Sequence, residues 1–96
     1  MKKYRARYTP EAGQIIKNLH PQIKALIWDA VDELLEKPFS GHELQFELIG
    51  FRSIKVKRYR IIYKVNEEES SIDVYYLGHR RDVYENFRRL IQSKLA

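Results

Sequence analysis

The spacing of apolar positions changes several times along this chain, and each change marks an element. From Lys3 to Tyr8 the run KYRARY alternates, with Tyr4, Ala6 and Tyr8 on one side and Arg5 and Arg7 on the other. That period of two predicts a short strand. At Thr9-Pro10-Glu11 the period lengthens. Thr9 suits an N-cap, Pro10 the first helical position, and Glu11 the positive end of the helix dipole. Ala12, Ile15, Ile16 and Leu19 then recur at helical spacing until His20-Pro21. Pro21 opens a longer helix that Pro38 ends, with Ile23, Ile27, Ala30, Val31 and Leu34 as its apolar stripe. Trp28 lies beside the stripe and reads as half-buried packing.

After Pro38 the pattern turns strand-like. Phe39 to Glu43 reads as a loop. Leu44, Phe46 and Leu48 alternate with Gln45 and Glu47, which predicts a strand broken by Gly50. Phe51 to Val56 and Tyr59 to Asn66 read as two strands joined by a tight turn at Lys57-Arg58. Glu67-Glu68-Glu69-Ser70 reads as a solvated turn. Ile72, Val74 and Tyr76 mark a further strand that ends at Gly78. Asp82 and Glu85 have capping-box spacing, and Val83, Phe87, Leu90 and Ile91 give a final helix its stripe. Helices set apart from a mostly antiparallel sheet predict an α+β fold. The 96 residues, 1–96, make a single domain.

Charge sharpens this picture. The chain holds 18 Lys and Arg against 13 Asp and Glu, a net of +5. Six of the cations, Arg52, Lys55, Lys57, Arg58, Arg60 and Lys64, fall between Phe51 and Lys64, where no acid occurs. The excess is therefore local, and a local cationic patch implies an anionic partner. No apolar run approaches a membrane span, and no apolar stretch follows the charged N-terminus as in a secretory signal. Cytoplasmic residence is the default expectation. Cysteine is absent, which excludes disulfides and thiolate chemistry. His20, His42 and His79 are scattered, so neither a metal nor a cofactor is expected. His20 and His42 read as inert loop residues.

Alternation places Ser53 and Lys55 on one face of the hairpin, beside Arg60 and Lys64. Stacked cations on adjacent strands repel one another unless an anion sits between them. The segment Gly78 to Tyr84, GHRRDVY, adds His79, Arg80 and Arg81 in sequence, then Tyr84 one turn into the last helix. Cleavage of RNA by acid–base chemistry needs an in-line geometry, a base for the 2′-OH, an acid for the 5′-oxygen, and cations for the charge between them. Arg60, Arg80 and Lys55 are candidates for the charge, and Tyr84 or His79 for the proton. Arg52, Lys57, Arg58, Lys64 and Arg81 are candidate RNA-binding neighbours. Arg52 shares a face with Ile54 and Val56, which also allows it to lie beside the core. Tyr59 and Tyr63 share a face with Ile61 and Val65 and read as core.

Four motifs carry a family resemblance: the opening Y-x-x-x-Y-T-P-E-A, the helix end L-L-E-K-P, the hairpin K-R-Y-R-I-I-Y-K-V, and the terminal L-G-H-R-R-D-V-Y. With these the chain resembles the RelE/ParE superfamily of toxins over nearly its whole length. The resemblance implies two N-terminal helices packed on a small twisted, mostly antiparallel sheet, with a C-terminal helix. It implies a metal-independent toxin that cuts mRNA in the ribosomal A site, using the 2′-OH as nucleophile and leaving a 2′,3′-cyclic phosphate. Arg60 and Arg80 match the family's phosphate-stabilising arginines, and Tyr84 its late proton-transfer tyrosine. Lys55 is the better-placed of the preceding basic residues, and His79 falls where relatives are often basic. The implied partners are a cognate antitoxin, RelB-like or other, and the ribosome with its mRNA. DNA would be met only through the antitoxin, and no membrane is implied. Two alternatives stand beside this reading: a ParE-like inhibitor of DNA gyrase that cuts no RNA, and an RNA-binding module without turnover.

Overall fold

A computed structural model describes residues 3–95. Strand β1 (Arg5–Tyr8) leads into α1 (Pro10–Lys17) and α2 (Pro21–Glu36). A two-residue strand β2 (His42–Glu43) and a 3-10 turn (Phe46–Leu48) follow. Then come β3 (Arg52–Val56), β4 (Tyr59–Asn66), β5 (Ser71–His79) and α3 (Val83–Leu95). The strands form one sheet in the order β1-β5-β4-β3-β2, parallel at β1–β5 and antiparallel elsewhere. This is the α+β architecture that the alternation of periods predicts.

The helix starts follow from local chemistry. Thr9 Oγ1 accepts from the Ala12 amide at 3.1 Å and donates to the Tyr75 carbonyl at 2.9 Å, so one hydroxyl caps α1 and ties it to β5. His20, read as inert, caps α2: its Nδ1 accepts from the Gln22 amide at 3.1 Å. Prolines 10 and 21 occupy the first helical positions, where no amide hydrogen is needed. The predicted capping box at α3 does not close. Glu85 turns its carboxylate to Arg89 at 2.7 Å, one helical turn on.

Two cores sandwich the sheet. Ile16, Ile27, Val31 and Leu34 of the helical hairpin pack on Ile61, Tyr63, Ile72, Val74 and Leu77. On the other face Val83 and Phe87 of α3 pack on Ile62 and Leu48. That face is therefore not an open cationic platform along its length. Lys64, a candidate RNA contact, holds its ammonium 4.4 Å from the Phe51 ring centroid and 5.8 Å from that of Tyr75. A cation above two ring faces is attracted to them.

Two departures from strict alternation explain how this covering is possible. The register between β4 and β5 shifts, with Ile62 opposite Tyr76 and Tyr63 opposite Val74. Tyr75 is the extra residue of the bulge, so Tyr75 and Tyr76 both pack with the α3 core. Gly78, expected to end the strand, lies inside β5, which runs on to His79. A Cβ there would stand in ordinary van der Waals contact, 3.4 Å from Val83 Cγ2, so α3 packs directly over this position.

The predicted strand over Leu44–Leu48 is not formed. Phe46 takes a φ of 56°, in the left-handed region, and the chain coils into the 3-10 turn. Leu48 is buried, whereas Phe46 stays 85% exposed. Pairing with β3 comes instead from the loop residues His42 and Glu43, opposite Ser53 and Arg52.

Candidate functional site

The central hairpin sets the site. Lys55 of β3 stands directly opposite Arg60 of β4, and Arg60 stands opposite Gly78 of β5. Gly78 has no side chain to cover the arginine. Ser53 lies two residues before Lys55 on the same face of β3, and its Oγ is 2.8 Å from the Tyr84 hydroxyl. Tyr84 therefore arrives from α3 above the strand that carries Lys55. A cavity of about 480 Å³ opens beside these residues, lined by Ser53, Lys55, Arg60, Gly41, His42 and Glu33 among others.

The loop that closes this cavity is pinned from below. Tyr63 is fully buried, and its hydroxyl accepts from the Gly41 amide at 3.0 Å while donating to the Pro38 carbonyl at 2.9 Å. Burial raises the pKa of this phenol above its ordinary value, a shift that the Gly41 amide and Arg52 oppose. Gly41 must be glycine here. A Cβ would lie 2.5 Å from the Tyr63 hydroxyl and 2.8 Å from the Ser53 carbonyl.

Arg52 belongs to the same support. Its guanidinium donates to the carbonyls of Phe39 (3.2 Å) and Gly41 (2.8 Å) and to Glu43 (2.9 Å). It also lies 5.0 Å from the Phe39 ring centroid. Its sequence neighbours Ile54 and Val56, on the same strand face, pack on the helical-hairpin core. Arg52 thus braces the 39–43 loop, and the structure does not bring it to the face of Lys55 and Arg60.

The second basic stretch forms an adjoining cleft of about 340 Å³, lined by Arg58, His79, Arg80 and Arg81. The Arg80 amide donates to the Arg58 carbonyl at 2.7 Å, which fixes the turn after β5 against the hairpin tip. Arg60 and Arg80 therefore belong to the same end of the sheet, although their side chains line neighbouring cavities. His79 is set apart. It stands opposite Tyr59, a residue of the helical-hairpin core, with ring centroids 6.1 Å apart. Its Nδ1 accepts from the Arg81 amide at 3.4 Å. Strand parity thus puts His79 on the face away from Arg60. Lys57 sits at the hairpin tip with a φ of 57°.

Ion pairing divides the cations. Arg5, Arg7, Arg52, Arg88, Arg89 and Lys94 each have a carboxylate partner. Among the described residues Lys55, Lys57, Arg58, Arg60, Arg80 and Arg81 are in no such pair. Arg88 latches α3 to the 3-10 turn, its Nε 2.6 Å from Glu47 though not aligned as a hydrogen bond. Lys17, Lys24 and Lys37 of the helical hairpin are also in no ion pair, but the β3–β4 hairpin end holds the one dense cluster, beginning one residue pair beyond Ser53, the partner of the Tyr84 hydroxyl. Such an arrangement can hold a phosphate, neutralise charge growing on it, and present a phenol to it. Sequence reasoning missed His42, because only the β2–β3 register brings it beside Ser53.

Fold and cation cluster together define a small α+β protein with a surface suited to an anion. Residues 3–84 match the family model described as ParE toxin of type II toxin-antitoxin system, parDE. Toxin RelG of Mycobacterium tuberculosis is 30% identical over 83 residues, spanning 84% of this chain and 95% of that protein. The solved RelBE2 toxin–antitoxin complex of M. tuberculosis contains a chain similar to this one, with a TM-score of 0.74 and 29% identity over 81% of this chain and 99% of that one. A chain of the E. coli RelBE complex matches in fold at a TM-score of 0.70 and 20% identity, over 79% of this chain and 95% of that one. The chain belongs to the RelE/ParE superfamily of type II toxins. No helix among the described residues is long and apolar enough to cross a membrane.

Proposed function

We propose that this toxin is an endoribonuclease that cleaves mRNA in the ribosomal A site and so arrests translation. The observation that carries the reading is the unpaired Lys55–Arg60 pair one residue pair along the sheet from Ser53, whose hydroxyl meets that of Tyr84 at 2.8 Å. In this reading the scissile phosphate lies over Lys55 and Arg60, and Arg80 reaches it from the neighbouring cleft. The 2′-oxygen attacks phosphorus and loses its proton to a base. The bond from phosphorus to the 5′-oxygen breaks, and that oxygen takes up a proton. The products are a 2′,3′-cyclic phosphate and a 5′-hydroxyl. Cations stabilise the phosphorane charge, and Tyr84 is the group placed to move a proton. His79 is the weaker candidate, given its place beside Tyr59. Lys57, Arg58 and Arg81 would grip flanking phosphates.

The partners proposed are the ribosome carrying mRNA and a cognate antitoxin, the latter by analogy with the complexes of RelBE2 and RelBE. The ParE description of the matching family model favours a second reading, poisoning of DNA gyrase without RNA cleavage. One pair of assays separates them. Mapping of mRNA ends after incubation with translating ribosomes is expected to show cuts in the A-site codon. Those cuts fall by about 100-fold or more in Arg60→Ala, with a comparable loss in Arg80→Ala. Intact mRNA together with linearised plasmid in a gyrase assay would overturn the ribonuclease reading in favour of the other.

A further inference from the structure

Tyr84 comes to the site on a helix, and one turn of helix offers a phenol many positions. A single side chain restricts it. Ser53 Oγ lies 2.8 Å from Tyr84 Oη, and either oxygen can be the donor. Ser53 is 1% exposed, and with Ser71 it is one of the two buried polar or charged side chains among the described residues. A buried hydroxyl needs a partner. Ser71 has Asp73, at 2.7 Å, and Ser53 has the tyrosine.

The surroundings give that bond a direction. Ser53 faces Ile62 across β3–β4, and the next pair on the same face is Lys55 with Arg60. The phenol oxygen is thus tied one residue pair from the two cations. On the edge side Ser53 stands opposite His42, and Glu33 of α2 lines the same cavity. If Tyr84 donated to Ser53, its proton would be turned away from any substrate. If Ser53 donates, the phenol oxygen keeps its own O–H free to protonate a leaving oxygen. In the deprotonated form it keeps a lone pair free to take a proton.

We propose that Ser53 is the positioning residue for Tyr84: its hydroxyl donates to the phenol oxygen and holds the proton-transfer group in register with Lys55 and Arg60. The proposal rests on the ribonuclease reading above and adds a residue to it that touches no substrate.

The test is a double-mutant cycle on ribosome-dependent mRNA cleavage with Ser53→Ala, Tyr84→Phe and the pair together. Ser53→Ala is expected to lower kcat by about 10- to 100-fold, the order expected for a misplaced catalytic group. KM stays within about twofold, because no substrate contact is lost. Ser53→Thr, which keeps the hydroxyl, recovers most of the rate. The double variant is no slower than Tyr84→Phe alone, since Ser53 has nothing left to position. The 13Cζ chemical shift of Tyr84 moves in Ser53→Ala and returns in Ser53→Thr. Should Ser53→Ala unfold at the assay temperature, Ser53→Cys removes the strong donor at nearly the same volume and makes the same comparison. An equal loss in the Tyr84→Phe background, or a loss confined to KM, overturns the proposal. Cleavage by Ser53→Ala equal to that of an active wild-type chain overturns this inference alone. A wild-type chain that cuts nothing overturns both readings.

Discussion

Single side chains decide how the cavity is held open. Tyr63 shows this best. Its alternation with Ile61 and Val65 marks it as core, and it is core, but its hydroxyl also carries two loop hydrogen bonds. Tyr63→Phe leaves the Gly41 amide and the Pro38 carbonyl without that partner. We expect it to cost about 1–3 kcal/mol in urea unfolding, with little change in secondary structure. Asp73 sets a pH dependence at the opposite edge. It stands opposite Arg7 across β1–β5 and bonds it at 2.9 and 3.1 Å, while Ser71 donates to it at 2.7 Å. The Arg7 hydrogen bond is the largest cause that holds its carboxyl below the ordinary value, and partial burial opposes it. A lowered folded pKa stabilises the fold above the unfolded value of about 3.9. That contribution is lost as pH falls through the lower folded value. Melting temperature should therefore drop on acidification below about pH 4, and Asp73→Asn should flatten that part of the curve.

At the scale of elements, the helix starts were legible because they depend on neighbours in sequence. Thr9 is the case with consequences beyond its own helix. Thr9→Ala removes both the cap and the bond to the Tyr75 carbonyl at the bulge of β5. We expect a loss of about 1–2 kcal/mol, read as a lower midpoint in denaturant with an unchanged slope. The segment Leu44–Leu48 was not legible in the same way. Its alternation is that of a strand, yet Phe46 adopts a left-handed φ and stays exposed, and full burial falls on Leu48 alone. Alternation reports which residues could face a core. It does not report whether a partner strand is free, and the edge of β3 is already taken by His42 and Glu43. The bulge at Tyr75 has the same character, since it depends on what α3 needs beneath Phe87 and Val83. Tyr76 stacks on Phe87 with centroids 5.6 Å apart, and Phe51 meets Phe87 edge-on at 5.0 Å.

Over the whole molecule, the distribution of charge matters more than its total. Ion pairs neutralise the arginines of β1, Arg52 and the cations of α3 after Tyr84, and leave a dense cluster at the end of the hairpin, besides scattered lysines of the two N-terminal helices, unpaired. Under the proposed function, binding to ribosomes should therefore weaken steeply with salt. Arg60→Ala should make the slope of log affinity against log salt shallower by about one phosphate contact. Arg5→Ala, paired with Glu69 far along the sheet, should leave that slope unchanged. Equal slopes for all three proteins would show that the cation cluster does not meet the phosphate backbone. Besides its apolar packing and the Ser53–Tyr84 bond, two ion pairs among the described residues tie α3 to other elements, Lys94 to Glu11 at 2.8 Å and Arg88 to Glu47 at 2.6 Å. The helix that delivers Tyr84 is thus clamped at both the 3-10 turn and the start of α1.

Outside residues 39–50, local grammar was enough to determine the element types, the hairpin of β3 and β4, and the concentration of cations at Phe51–Lys64, because periodicity, caps and charge are properties of neighbours along the chain. Tertiary structure alone decided which of those cations stay unpaired, that Lys64 and Arg52 are drawn away to rings and carbonyls, that His79 faces Tyr59, and that Ser53 meets Tyr84. Those outcomes depend on strand register and on the packing of α3 over the sheet, and both join residues far apart in sequence.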